Sequence, residues 1–252
     1  MISNLKKVAI GAFATAGLLF YQVALGGLMH VQLVVPNAPS PPLPPFPFDC
    51  ADNIAGSTTC DVNSLPNQMT VIAGVGGVPA IPGYNVSVTT TFSNNPGTPG
   101  FNILDLTWSV ASLGLGGDPL TILVSQQDFL FPSGSSNLQS VCSGDALNAT
   151  VTCQEWVNLN NTLFGLGPIT PGAQGPFSAP FTSTALSGPY LSVPPYSITD
   201  RLIFTLGPNG TSTGDLRSIT PVPEPATIAL VGVALLGLGV MRRRKELKTD
   251  AL

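Results

Sequence analysis

Histidine, lysine and charge in general are scarce in this chain of 252 residues, and each scarcity removes a class of function. The single histidine, His30, stands near the N-terminus, so a Ser-His-Asp or Cys-His arrangement lacks its base in the body of the chain. Charged side chains make up 9% of the sequence, against roughly 25% in ordinary soluble domains. Seven of the nine Lys and Arg residues lie at the two ends: Lys6, Lys7, Arg242, Arg243, Arg244, Lys245 and Lys248. Between them stand only Arg201 and Arg217, against ten acids over residues 28–221, a net charge of −8 for that body. Nucleic acid is therefore not a partner, because phosphate binding needs a basic footprint. No H-E-x-x-H, P-loop or dinucleotide motif occurs, and Asp105 and Asp128 stand in no pattern that marks a hydrolytic carboxylate pair. The expectation is a non-enzymatic protein with no cofactor and no metal.

What the chain has in quantity is glycine (27) and proline (25), which favour strands and turns over long helices. Residues 1–26 read as a secretory signal, with Lys6 and Lys7, an apolar stretch from Val8 to Phe20, and small residues at Ala24, Gly26 and Gly27. Four cysteines fall as two local pairs, Cys50 with Cys60 and Cys142 with Cys153, which suits an oxidising compartment. Three connectivities are open. The local one is favoured, because each bridge then closes a short loop and contributes roughly 3 kcal/mol in the chain-entropy account.

At the other end, Ala226 to Met241 (ATIALVGVALLGLGVM) carries no charge and no proline, and Arg242-Arg243-Arg244-Lys245 follows at once. Read as a helix, the sixteen residues span about 24 Å, short of the ~30 Å hydrocarbon core but within reach once arginine snorkelling and local thinning are allowed. The basic cluster is expected to stay inside, which puts residues 28–221 across the membrane. Before the helix stands Pro221-Val222-Pro223-Glu224-Pro225, whose prolines hold Val222 and Glu224 extended, a form easily read by an enzyme.

Signal peptide, then Val222-Pro223-Glu224-Pro225, an apolar helix and a basic end: in this order they resemble the PEP-CTERM sorting signal. The resemblance implies processing at or near the motif by an exosortase, membrane attachment before that step, and delivery to the cell surface or extracellular matrix of a Gram-negative bacterium. It further implies an exopolysaccharide or biofilm setting with a structural or adhesive role. It covers about 30 residues and identifies a route, not an activity of the body.

Within the body, residues 27–48 are expected to form a Pro-rich spacer and residues 207–221 a polar linker to the sorting segment, 222–252. Between them, residues 49–206 are expected to fold as an antiparallel β-sandwich, flanked by the signal helix and the single C-terminal transmembrane helix. Tyr84, Val86, Val88, Thr90 and Phe92 alternate with polar residues, as do Leu104, Leu106, Trp108 and Val110. Gly114 to Pro119 reads as a hairpin turn leading to Leu120, Ile122 and Val124. A last strand is expected from Ser197 to Leu206, with Pro132 to Pro195 mostly loop or edge. The order C-x9-C-D, Gly-Val-Gly-Gly, alternating strands and PYSITDRLIFTL loosely resembles β-rich ectodomains of PEP-CTERM proteins. Asp49, Asp52, Asn53 and Asp61 read as solvated loop acids, their spacing unlike a calcium loop. Trp156, among Asn158, Asn160 and Asn161, is the candidate glycan contact of an alternative reading, a glycan-binding module permanently anchored by its C-terminal helix.

Overall fold

A computed structural model describes residues 27, 29–35, 48–52, 60–63, 65–78, 80–98, 100–114 and 118–221. Twelve strands and no helix occur among them. In chain order these are β1 (Met29–Val34), β2 (Phe48–Ala51), β3 (Thr70–Ile72), β4 (Tyr84–Ser93), β5 (Phe101–Ser112) and β6 (Leu120–Phe129), then β7 (Gly134–Ser136), β8 (Gln139–Asn158), β9 (Gln174–Phe177), β10 (Phe181–Leu186), β11 (Tyr190–Ser192) and β12 (Tyr196–Pro221). The period-2 expectation holds where the strands are regular: Tyr84, Val86 and Val88 of β4 and Leu104, Leu106, Trp108 and Val110 of β5 are all buried. A bulge between Thr90 and Phe92 then shifts the register of β4, and Ser93 beyond it is buried.

The architecture is organised by the two longest strands. β8 runs antiparallel along one edge of β12 for nearly its whole length. The other edge of β12 pairs first with β6, from Tyr196 to Phe204, and then with β5, from Thr211 to Pro221. β1 and β2 extend the sheet beyond β6, β4 and β3 extend it beyond β5, and β9 and β10 pair with the outer edge of β8. β7 and β11 form a separate two-stranded sheet.

Eleven residues of extended strand span about 36 Å. The Cα atoms of Cys142 and Cys153, both in β8, are nevertheless 6.5 Å apart and joined by a disulfide. The β8/β12 ribbon therefore doubles back on itself. The fold lies where the register slips between Leu206 and Thr211, opposite Leu147 to Ala149. Asn148 (φ 48°) and Asn209 (φ 53°) adopt left-handed backbone there, which Asn tolerates better than bulkier residues do. Doubling back brings the two arms of the sheet face to face. The core lies between them, with Trp108 of β5 edge-on to Phe204 of β12 at 6.0 Å.

The mainly β, antiparallel expectation thus stands, and several finer expectations are corrected. Instead of two separate sheets, one ten-stranded sheet is folded over and nearly closed. Residues 207–221 are the second arm of the central strand, not a polar linker. They read as a linker because Gly207-Pro208-Asn209-Gly210 is a break signal, which here makes the bend. Residues 132–195 contain β8, the longest partner of β12, rather than mostly loop. β6 pairs with β1 and β12, so β5 and β6 are not the two arms of a hairpin. In the expected spacer 27–48, Met29 to Val34 is a paired strand, which also puts His30 inside the sheet. The signal segment 1–26 and the expected transmembrane helix lie outside the described residues. Among the described residues no helix is long and apolar enough to cross a membrane.

One close approach explains a pair of glycines. Gly144 and Gly214 are register partners, and Gly214 also faces Trp108 across the β12/β5 ladder. A Cβ on Gly214 would stand 2.6 Å from Cη2 of the Trp108 indole, whose Nε1 donates to Ser212 Oγ at 3.1 Å. Gly214→Ala is expected to destabilise the domain by about 1–3 kcal/mol through overpacking. Urea denaturation followed by tryptophan fluorescence reads this directly, and an unchanged midpoint would contradict the packing described.

Candidate functional site

The alternation that builds the arms also places two acids in the interior. In Val151-Thr-Cys153-Gln-Glu155-Trp-Val157, Glu155 shares the parity of Val151, Cys153 and Val157. In Ile198-Thr-Asp200-Arg-Leu202-Ile-Phe204, Asp200 shares that of Ile198, Leu202 and Phe204. Both acids are fully buried, and they are cross-strand neighbours in the β8/β12 ladder. On the facing arm the corresponding neighbours are Ser140 and Ser218. Ser140 Oγ donates to Glu155 Oε1 at 2.5 Å, and Ser218 Oγ donates to Asp200 Oδ1 at 2.5 Å. Gln174 of β9 completes the group through its Nε2, which donates to Ser140 Oγ. From composition these two acids enter only the net charge of −8 for residues 28–221. Their parity was the signal that would have found them.

Burial pushes the Glu155 carboxyl up to about 7, opposed by the Ser140 hydroxyl. Asp200 is raised well above the ordinary carboxylate range, first by burial and then by the neighbouring Glu155. Two carboxylates this close and this dry do not ionise together, so the interior holds at least one protonated acid. On the outer face of the second arm a more open acid group is built differently. Arg217 Nη2 lies 2.9 Å from Asp105 Oδ2, while Asp215 is raised to about 6 by partial burial and then by Asp105.

Among the residues singled out from sequence, Cys50 bonds Cys60 and Cys142 bonds Cys153, the local connectivity. Trp156 points to the outer face of its arm, yet is only 6% exposed. The Arg201 guanidinium lies over its ring, 4.7 Å from the centroid, and Arg201 Nη2 also donates to Gln154 Oε1 at 2.6 Å. A sugar would have to displace Arg201 to stack there. Around the first disulfide, Asp61 Oδ1 accepts from the backbone of Asn63 and Thr70, and Asp52 Oδ2 from that of Asn67. Asp49 is 3.1 Å from His30 Nδ1. Asp52 and Asp61 thus pin loop backbone, and Asn53 lies outside the described residues.

Gly210-Thr211-Ser212-Thr213-Gly214 has the G-x-S-x-G spacing of a nucleophile elbow. It lies within β12 rather than on a strand-to-helix turn, and Ser212 is buried beneath Trp108. The sorting residues Val222, Pro223, Glu224 and Pro225 and the basic stop Arg242, Arg243, Arg244 and Lys245 lie outside the described residues. The structure does place the residue that precedes them: Pro221 ends β12, pairs with Phe101, and accepts a hydrogen bond from Ser136 Oγ at 2.7 Å.

The acid pair has a measurable consequence. Below the unfolded value of 4.5 Glu155 is neutral in both states and costs nothing; between 4.5 and about 7 the unfolded chain ionises while the folded one holds its proton. Stability is therefore lost as pH rises across that window, by ~3 kcal/mol at most for this group. Urea midpoints should fall between about pH 5 and pH 8, and Glu155→Gln should make that fall shallower, the buried Asp200 keeping the remainder. A wild-type midpoint that rises over the same range would contradict a protonated interior acid.

Residues 221–245 match a family model described as the PEP-CTERM protein-sorting motif. No curated protein matches the chain. Among solved structures, the enzymatically active domain of bacteriophage CBA120 tailspike protein 4 is similar at 7% identity and a TM-score of 0.30, over 54% of this chain and 19% of that one. A structure of infectious bursal disease virus, Gx strain, is similar at 11% identity and a TM-score of 0.26, over 77% of this chain and 51% of that one. Likenesses this low carry no argument about the body. The C-terminal match does carry one: the chain bears a PEP-CTERM sorting motif, the address of a protein exported across the membrane to the surface of a Gram-negative bacterium and processed by an exosortase.

Proposed function

We propose that the protein is a non-enzymatic structural or adhesive component of an exopolysaccharide or biofilm matrix, held at the cell surface or in that matrix through its C-terminal end after exosortase processing. The observation that carries this reading is where the sorting match begins. Residue 221 is both its first residue and the last residue of β12, the central strand of the folded sheet. Tension on the C-terminal attachment therefore pulls along a strand held on both edges by antiparallel ladders, to β5 and to β8. Inter-strand hydrogen bonds lie across the strands, so such a pull loads many of them together. The Cys142–Cys153 bridge ties the two arms behind them. That construction suits a part that bears load at a surface.

The non-enzymatic reading is supported by access. The interior acids are sealed from solvent, Ser212 is buried, and His30 lies on β1 beside Asp49. In the full reading, residues 1–26 are removed on export and 226–241 hold the chain in the membrane, with Arg242 to Lys245 inside, until the motif is read. The alternative, a permanently anchored glycan-binding module, depends on Trp156. Its fluorescence should then change on titration with the host's own exopolysaccharide, whereas the structural reading expects no change.

Processing is tested on the intact protein. Replacing Pro223, Glu224 and Pro225 together by alanine is expected to leave chains carrying the Arg242 to Leu252 tail in the inner membrane, as read by mass spectrometry of the C-terminus. An intact tail on wild-type protein at the cell surface would overturn removal of the segment. For the matrix role, deletion of the gene should lower the polysaccharide retained by washed cells, and unchanged retention would refute it.

A further inference from the structure

The folded sheet has a closed end, at the bend, and an open end where β12 leaves. Exposed apolar side chains gather around the exit. Phe101 pairs with Pro221 itself, and Leu186 pairs with Gln139, whose own partner Ile219 is two residues from the exit. Ser136, which donates to the Pro221 carbonyl, belongs to the two-stranded β7/β11 sheet that carries Leu191. Phe131 offers its carbonyl to Asn102 Nδ2 and Tyr196 Oη, next to Leu130, and Ser192 Oγ reaches the Pro132 carbonyl beside Val193. All six are exposed, Leu191 to 64% and Leu186 and Val193 to 60% each. Such a concentration of bare apolar side chains at one end calls for something to cover it.

We infer that this open end is a lipid-facing surface, which rests on the bilayer while the chain is anchored. The inference depends on reading residues 226–241 as membrane-inserted. Only residues 222–225 separate Pro221 from Ala226. Fully extended, the five steps from Pro221 to Ala226 cover at most ~17 Å, and the interfacial layer they must cross is itself about 5–8 Å thick. The apolar segment is shorter than the hydrocarbon core and draws the chain inward rather than letting it stand off. The exit of β12 is thereby held at the headgroup layer, and the six side chains around it meet the boundary where aromatic and aliphatic groups bury favourably. Charge favours a zwitterionic surface over an anionic one, since the body is acidic and no Lys lies between residues 8 and 244. The opposite end, with Leu147 at the bend, points away from the membrane.

The test uses the full-length chain reconstituted into phosphatidylcholine vesicles whose acyl chains are brominated close to the headgroups, so that bromine quenches tryptophans seated in the interface. Leu191→Trp and, as a second variant, Leu186→Trp report on the open end; Leu147→Trp reports on the bend. Emission is read as the difference from the parent chain, in brominated against unbrominated vesicles, after flotation. The added emission of both open-end variants should be mostly lost in brominated lipid, while that of Leu147→Trp is kept. If the chains float but the open-end tryptophans keep their emission, or Leu147→Trp is quenched as strongly, the lipid-facing surface is overturned and the anchor reading survives. Open-end tryptophans that escape bromine yet shift to shorter wavelength as protein crowds the vesicle would mean that a second copy covers the patch, which also overturns it. Chains that fail to float overturn the anchor reading and this proposal with it.

Discussion

The doubling back of the β8/β12 ribbon is the constraint on which the rest of the structure depends. Two strands of 20 and 26 residues are far longer than a usual strand, and left straight they would form a ribbon with no interior. Folding at Asn148 and Gly207 to Gly210 converts that ribbon into two facing arms, and each arm gains further strands at both edges. The Cys142–Cys153 bridge joins positions that become neighbours only through this bend. Export brings the chain to a compartment where such a bridge forms and persists.

The bend also explains why polar groups line a layer of the interior. Once the arms face each other, Glu155 and Asp200 on one meet Ser140 and Ser218 on the other. A polar layer of this kind is poor as a source of stability, because desolvation offsets its hydrogen bonds, but it discriminates between alignments of the arms. Sliding one arm by two residues would leave the acids against Cys142 and Leu216, without the hydroxyls that satisfy them. The neighbouring layers of Cys142, Cys153, Leu202 and Leu216 supply the apolar burial that this layer gives up.

Because the central strand is also the last among the described residues, the sheet described is complete only when the chain has been delivered as far as Pro221. Strands β5, β6 and β8 all wait for it, and their contacts span large separations in sequence. The same arrangement sets body and sorting motif side by side, with no spacer at the end of β12. Fold, tether and processing site thus share one short stretch of chain.

Local chemistry was legible from the residues wherever it acts over a few positions: the sorting motif and its basic end, the pairing of cysteines ten and eleven residues apart, and the alternation that buries Trp108 and its neighbours on β5. The Gly-Pro-Asn-Gly at 207–210 was legible too, as a break, but a break before a linker and a bend within a strand have the same composition. Which of the two it makes is decided by whether β5 and β8 offer edges to the residues that follow, and those edges lie far back along the chain, in strands that begin at Phe101 and Gln139. The burial of Glu155 and Asp200 has the same origin. Their parity is written in the sequence, whereas their dryness comes from a second arm that exists only after the ribbon folds. The sequence alone determined the export route and the alternation of β4 and β5, since both are read locally; only the tertiary structure decided that 139–158 and 207–221 are strands and what faces what, because long-range strand pairing sets which surfaces lose their water.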